Sequence, residues 1–163
     1  MRKTLGALAL VSVVSLALGF SACGSKSERS LRQQFQANRA TIDQLLDMQL
    51  QDKGVVRIAP TFTRLENDWS WPRSDLGFTQ ERWNSYQLLF KRAGVTDGLQ
   101  KDGKFIWYFV SSSGLAIAGT SRGFVFTKEP PQPIVTKLEN CPKVDGVCYV
   151  ALQKDWYLFQ WNS

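Results

Sequence analysis

Phe105-Ile106-Trp107-Tyr108-Phe109-Val110 is an unbroken apolar run of β-branched and aromatic residues. Successive side chains of a strand point to opposite faces, so such a run predicts a strand covered on both sides. Helices must cover one of those faces, and the preceding sequence supplies them. Leu31, Phe35, Ile42, Leu45, Leu46 and Leu50 fall on one side of a cylinder at 100° per residue, which predicts an amphipathic helix of roughly 20 residues. Gly54 is its natural C-cap, and Asn38, inside the stripe, reads as an edge residue reaching solvent. A second helix is predicted from Thr79, with Trp83, Tyr86, Leu89, Phe90 and Ala93 on one face and Gly94 just past its end. Phe78 and Trp83 could form its hydrophobic staple.

Around the central run, further strands are expected. Val55–Ile58 precedes Pro60, and Glu66–Gly77, interrupted by Pro72, reads as a loop. Ser111–Gly114 reads as a turn, followed by strands at Leu115–Gly119 and Phe124–Lys128 joined by Thr120-Ser121-Arg122-Gly123. Pro130, Pro131 and Pro133 favour an extended edge segment. Ile134–Glu139, Val147–Gln153 and Trp156–Trp161 complete the set. The fold class is therefore α+β: two N-terminal amphipathic helices packed on a mainly antiparallel sheet of five to six strands.

The chain has 163 residues, 44% hydrophobic and 21% charged, and a formal net charge of +6. That length suits one domain. Histidine is absent, which excludes Ser/His/Asp and Cys/His catalysis and any zinc site needing imidazole. Met1-Arg2-Lys3 gives a positive start, and Leu5 to Phe20 carries no charge before small residues begin at Ser21. This is the pattern of a signal peptide, shorter than the roughly 20 apolar residues of a membrane span.

Ser21-Ala22-Cys23 resembles the lipobox of bacterial lipoproteins, in which small residues precede a cysteine that is lipidated and becomes the mature N-terminus. Phe20 stands where that family prefers Leu or another aliphatic residue, and the rival is an ordinary cut after Ala17-Leu18-Gly19. The resemblance implies a covalent lipid on Cys23, a thioether-linked diacylglycerol plus an amide-linked chain such as palmitate, and with it membrane anchoring in the cell envelope. No other cofactor is expected. Gly24, where an Asp would favour inner-membrane retention, implies the periplasmic face of the outer membrane if the source is Gram-negative. On this reading residues 1–22 are removed, 23–30 form a tether, and 31–163 form one globular domain. Loss of Arg2 and Lys3 lowers the net charge from +6 to +4. Export makes nucleic acid an improbable partner.

With Cys23 acylated, Cys141 and Cys148 remain as a pair, and an oxidising compartment predicts a disulfide between them. A two-residue hairpin at Asp145-Gly146 competes, because that register sets Cys148 opposite Lys143; the bridge with a wider turn is preferred.

Residues with chemistry to offer are few. Asp68, Trp69, Trp71, Arg73 and Asp75 combine aromatic faces with polar groups that could hold a sugar ring, or the tryptophans fold onto the core. Trp83, Trp107, Trp156 and Trp161 lie in periodic segments and read as core, although Tyr157, Phe159 and Trp161 would project together from the last strand as a partner site. Glu66 with Asp68, or Asp97 with Asp102, could form a glycosidase-like acid pair, but Asp in turns chiefly supports the backbone. Gly114, Gly119 and Gly123 lack phosphate-loop spacing and read as hairpin punctuation. The sequence thus points to a non-catalytic envelope protein that binds another envelope protein. A glycan-binding module using Trp69 and Trp71 is the alternative, and a small carboxylate hydrolase the third reading.

Overall fold

A computed structural model describes residues 25–66, 68–70, 77–115 and 118–163. Cys23, Trp71, Arg73 and Asp75 lie outside the described residues, as do the segments read above as a leader and a lipobox. Three helices, α1 (Glu28–Ala37), α2 (Arg39–Gln51) and α3 (Gln80–Ala93), pack on one antiparallel sheet, so the class is α+β. Its eight strands are β1 (Val55–Ile58), β2 (Thr63–Leu65), β3 (Asp68–Ser70), β4 (Leu99–Asp102), β5 (Phe105–Leu115), β6 (Ala118–Phe126), β7 (Gly146–Gln153) and β8 (Trp156–Asn162). They lie in the order β3-β2-β1-β4-β5-β6-β8-β7. Among the described residues, no helix is long and apolar enough to cross a membrane.

The expected long first helix is two helices broken at Asn38. Asn38 caps α1 with its backbone N–H on the Gln34 carbonyl, its side-chain amide donates to the same oxygen at 2.9 Å, and its own carbonyl starts α2 by accepting from Ile42. The break turns the second stripe. Ile42, Leu45, Leu46 and Met48 face inward, while Leu50, expected on the buried side, is exposed. The expected tether is likewise shortened, since Ser27 accepts from Ser30 as N-cap and residues 28–30 form the first turn of α1. The start of α3 follows the reading: Thr79 accepts from the Arg82 N–H, and Gly94 ends the helix at φ 67°.

β5 is the central long strand, and the run 105–110 is buried on both faces as its pattern requires. Ile106, Tyr108 and Val110 join the main core with Leu31, Phe35, Ile42, Tyr86 and Phe90 from the helices. Phe35 of α1 sits edge-on to Phe124 at 5.1 Å and to Trp156 at 5.2 Å between ring centroids, the offset geometry that aromatic quadrupoles favour. Trp107 and Phe109 point the other way, into a second cluster with Val125, Tyr149 and Phe159.

Three expectations are corrected along β5 to β7. Ser111–Gly114 is not a turn and Thr120–Gly123 does not join two strands; both belong to a single hairpin in which Ser112 pairs with Ser121, Ser113 with Thr120 and Gly114 with Gly119. Each segment satisfies its backbone through the other, which offsets the turn preference of Ser and Gly. Gly123 is at an apposition, since an added Cβ would collide with the Tyr108 carbonyl and meet the Phe159 ring at 3.0 Å. Finally, Ile134–Glu139 is not a strand. The proline-rich segment touches edge strand β7 by one parallel bridge, Ile134 to Tyr149, with Tyr149 N–H donating to Pro133 and Val135 N–H to Tyr149, and Leu138–Asn140 forms a 3-10 turn. Prolines lack the N–H groups that a longer ladder needs.

Cys141 and Cys148 form a disulfide that ties this segment to β7, with Cα atoms 5.8 Å apart. The wide turn of residues 142–145 replaces the tight Asp145-Gly146 hairpin, and Gly146 opens β7 instead.

Candidate functional site

The three helices contribute to the main core and none of their residues belongs to the second cluster. The opposite sheet face is thus helix-free among the described residues, and the strand registers order what lies along it. One cross-strand row runs Trp69, Arg64, Arg57, Gln100, Trp107, Val125, Tyr157, Ala151, each the Cα partner of the next. A second row runs Ser112, Ser121, Trp161, Val147, with the row of Phe109, Gly123, Phe159 and Tyr149 between the two. Side-chain alternation puts both rows on the same face.

The backbone register relates two expectations that were separate in the sequence. The register position of Trp69 is at one edge of the sheet, and Tyr157, Phe159 and Trp161 are near the other. Phe159 is fully buried beneath its neighbours, while Trp161 is 39% exposed. Trp107 connects these groups: its ring lies edge-on to Phe159 at 4.9 Å and 5.9 Å from Trp161. Tyr149 completes the layer, 5.8 Å from Trp107, and burial pushes its phenol up to about 12. Of the expected core tryptophans, Trp156 is in the main core and Trp83 packs at its border, whereas Trp107 and Trp161 belong to this second face.

Beside the aromatic layer is a polar cavity of about 630 Å³, lined by Arg57, Asp97, Phe109, Ser112, Ser121 and the β1–β2 turn. The Arg57 guanidinium lies over the Phe109 ring at 4.5 Å and donates through Nη2 to the Asp97 carbonyl at 2.6 Å. Nη1 is buried without a partner. Burial lowers the Arg57 pKa to about 10, opposed by the Asp97 carboxylate and reinforced by Arg64; the group is still a cation at neutral pH. Ser112 donates to the Asp97 carboxylate at 2.7 Å and shares a hydrogen bond with Ser121 at 3.1 Å. The cavity therefore offers a cation, a carboxylate and two hydroxyls, with exposed Trp161 in the strand next to Ser121.

The expected acid pairs are arranged differently. Asp97 precedes β4 and Asp102 ends it, so Gly98 and the three strand residues Leu99, Gln100 and Lys101 stand between them. Glu66 follows β2, and Asp68 begins β3 as the Cα partner of Leu65. Sequence reading missed Arg57, Ser112 and Ser121 as site residues. The available signal was a lone arginine within the apolar strand Val55-Val56-Arg57-Ile58, since a charge in such a run needs a specific partner.

No protein-family model matches the chain, and no curated protein or solved structure shows significant similarity to it.

Proposed function

We propose that this chain is a lipid-anchored protein of the bacterial cell envelope, acylated on Cys23, whose helix-free sheet face binds a protein partner without catalysis. The observation that carries the binding part is the gathering of Arg57, Arg64, Tyr157 and Trp161 on one face by two cross-strand rows that flank the buried row of Phe109 and Phe159. Tryptophan, tyrosine and arginine are the residue types that dominate binding energy at protein interfaces. Trp161 presents apolar area above a packed aromatic bed that holds it with little further loss of freedom. The lipid supplies a permanent anchor, which on the Gly24 argument places the domain at the periplasmic face of an outer membrane in a Gram-negative source.

Crosslinking in the native cells, purification through the C-terminus and mass spectrometry test this reading. A partner protein that attaches reproducibly to the native chain and is lost from a stably folded Trp161→Ala variant is the expected result. Attachment unchanged in that variant removes the face from the proposal, and absence of any protein removes the adaptor function.

A second reading is favoured by the Asp97–Ser112–Ser121 hydrogen-bond chain beside Trp161: a saccharide whose hydroxyls exchange bonds with these groups while its ring lies on the indole. It relocates the glycan site from the Trp69/Trp71 loop to the cavity. Quenching of tryptophan fluorescence by cell-wall fragments, abolished by Asp97→Asn with Ser112→Ala, would support it; an unperturbed spectrum would discard it.

A further inference from the structure

The backbone of Lys26 is clamped to the sheet. Its N–H donates to Ser111 Oγ of β5 at 3.1 Å, and its carbonyl accepts from Arg122 Nη1 of β6 at 2.8 Å. Arg122 is itself held by Gln160 of β8, Nε to Oε1, at 2.9 Å. The Lys26 ammonium donates to Gln34 of α1 at 2.6 Å, and Ser27 caps that helix. One residue thus joins three strands and a helix at the point where the described chain begins.

Only Gly24 separates Ser25 from Cys23 in the sequence. Two residues reach at most about 7 Å, close to the depth of the headgroup layer on one side of a bilayer, roughly 5–7 Å. An acyl group on Cys23 therefore cannot hang from a long tether. It draws the clamped end of the sheet down to headgroup level.

That end is chemically suited to the contact. Ser25 shares a cavity of about 510 Å³ with Ser113, Gly114, Gly119, Arg122 and Lys143. Arg122 and Lys143 line it beside Asp145 and Ser163. Cationic side chains are attracted to an anionic leaflet. We propose that this end of the sheet is the membrane-seating surface of the anchored protein, fixed by the Lys26 clamp and meeting lipid phosphates with Arg122 and Lys143. The inference rests on lipidation of Cys23. It implies that the opposite end of β5, roughly 35 Å away along eleven strand residues, stands clear of the bilayer.

The test uses the full chain purified from its own membranes with its lipid. Single added cysteines at Val144, which is 68% exposed, and at Lys104, which is exposed and ion-paired with Glu129, are labelled with a fluorophore. The labelled proteins are reconstituted in phosphatidylcholine vesicles containing phosphatidylglycerol and a headgroup-bound quencher. Strong quenching of the label at 144 and little at 104 is expected. Combining Ser111→Ala with Arg122→Gln should erase that difference while the N-terminal peptide keeps its acyl mass. Lys143→Glu should weaken quenching on these vesicles and leave it unchanged on phosphatidylcholine alone.

Equal quenching at both positions in an acylated protein overturns the seating surface and leaves the anchor standing. A clamp variant that keeps the difference overturns the clamp. Indifference to Lys143→Glu on anionic vesicles overturns the phosphate contact. An N-terminal peptide without acyl mass overturns the anchor and the inference together.

Discussion

The guanidinium of Arg57 rests 4.5 Å from the centre of the Phe109 ring, with one of its two terminal nitrogens bonded to the Asp97 carbonyl and the other buried unpaired. This arrangement favours recognition over stability. An unsatisfied buried donor costs about 1–3 kcal/mol, and the lowered pKa of Arg57 shows that burial disfavours its cation more than Asp97 favours it. An apolar side chain of similar length removes that unsatisfied donor and the cost of burying the cation, against the loss of one hydrogen bond worth about 0.5–1.5 kcal/mol. Arg57→Met should therefore melt at the same temperature as the native protein or higher, while losing affinity for whatever occupies the cavity. A calorimetric melting point several degrees lower would show that Arg57 holds the fold together.

Gly123 lies between the Tyr108 backbone and the Phe159 ring, in the row that pairs it with both Phe109 and Phe159. A methyl group there cannot be accommodated by moving one flexible side chain, because the first obstacle is a strand carbonyl. Gly123→Ala should cost about 3 kcal/mol, the upper part of the range for overpacked interiors, and loosen the aromatic layer. Urea unfolding followed by near-ultraviolet circular dichroism reads both effects. A midpoint within error of the native value would rule out this close approach.

The same hairpin shows what could be read in advance. Residues 105–110 were legible because burial on both faces leaves no polar position, a purely local signal. The helices were legible from periodicity, and Thr79 and Gly94 from their capping chemistry. Ser111–Ser113 and Thr120–Gly123 were not, because their backbones are satisfied by pairing with each other across the strands, and no local window shows that pairing. Likewise β2, β3 and β4 are only three or four residues long and carry too few alternations to be distinguished from loop. The candidate face was half legible: Tyr157, Phe159 and Trp161 share a strand, but Arg57, Ser112 and Ser121 meet only through registers set by other strands.

The disulfide provides a third test. It closes a short loop of seven residues' separation, and both cysteines are buried. Chain entropy assigns such a loop about 2.5 kcal/mol, equivalent to a melting shift of about 8 °C for a domain of this size. The double variant Cys141→Ser, Cys148→Ser should melt lower by about that amount and release the 133–135 segment from β7, visible as faster amide exchange at Val135 and Tyr149. An unchanged melting point would mean that the bridge adds nothing to the hydrogen bonds already joining the segment to the edge.

Alkaline pH supplies the fourth. The Tyr86 hydroxyl is buried between α2 and α3 and donates to Asp52 Oδ2 at 2.6 Å, and Tyr108 is fully buried in β5. Burial raises both phenols above their usual 10, and for Tyr86 the bonded Asp52 carboxylate raises it further. The native state then holds these protons at a pH where the unfolded chain releases them. Their stabilising effect is complete below pH 10 and lost above it, at about 1.4 kcal/mol per pH unit for each phenol. Arg57 acts oppositely. Its native pKa of about 10 lies below its usual value, so between the two the unfolded chain holds the extra proton and stability rises with pH. Tyr149, whose phenol burial also raises to about 12, adds to the two, so three groups against one leave a net fall. Denaturant unfolding from pH 9 to 11.5 should show stability declining above pH 10, more gently in Tyr86→Phe and more steeply in Arg57→Met. A flat profile, or the reverse order of the two variants, would contradict the proton balance derived from these burials.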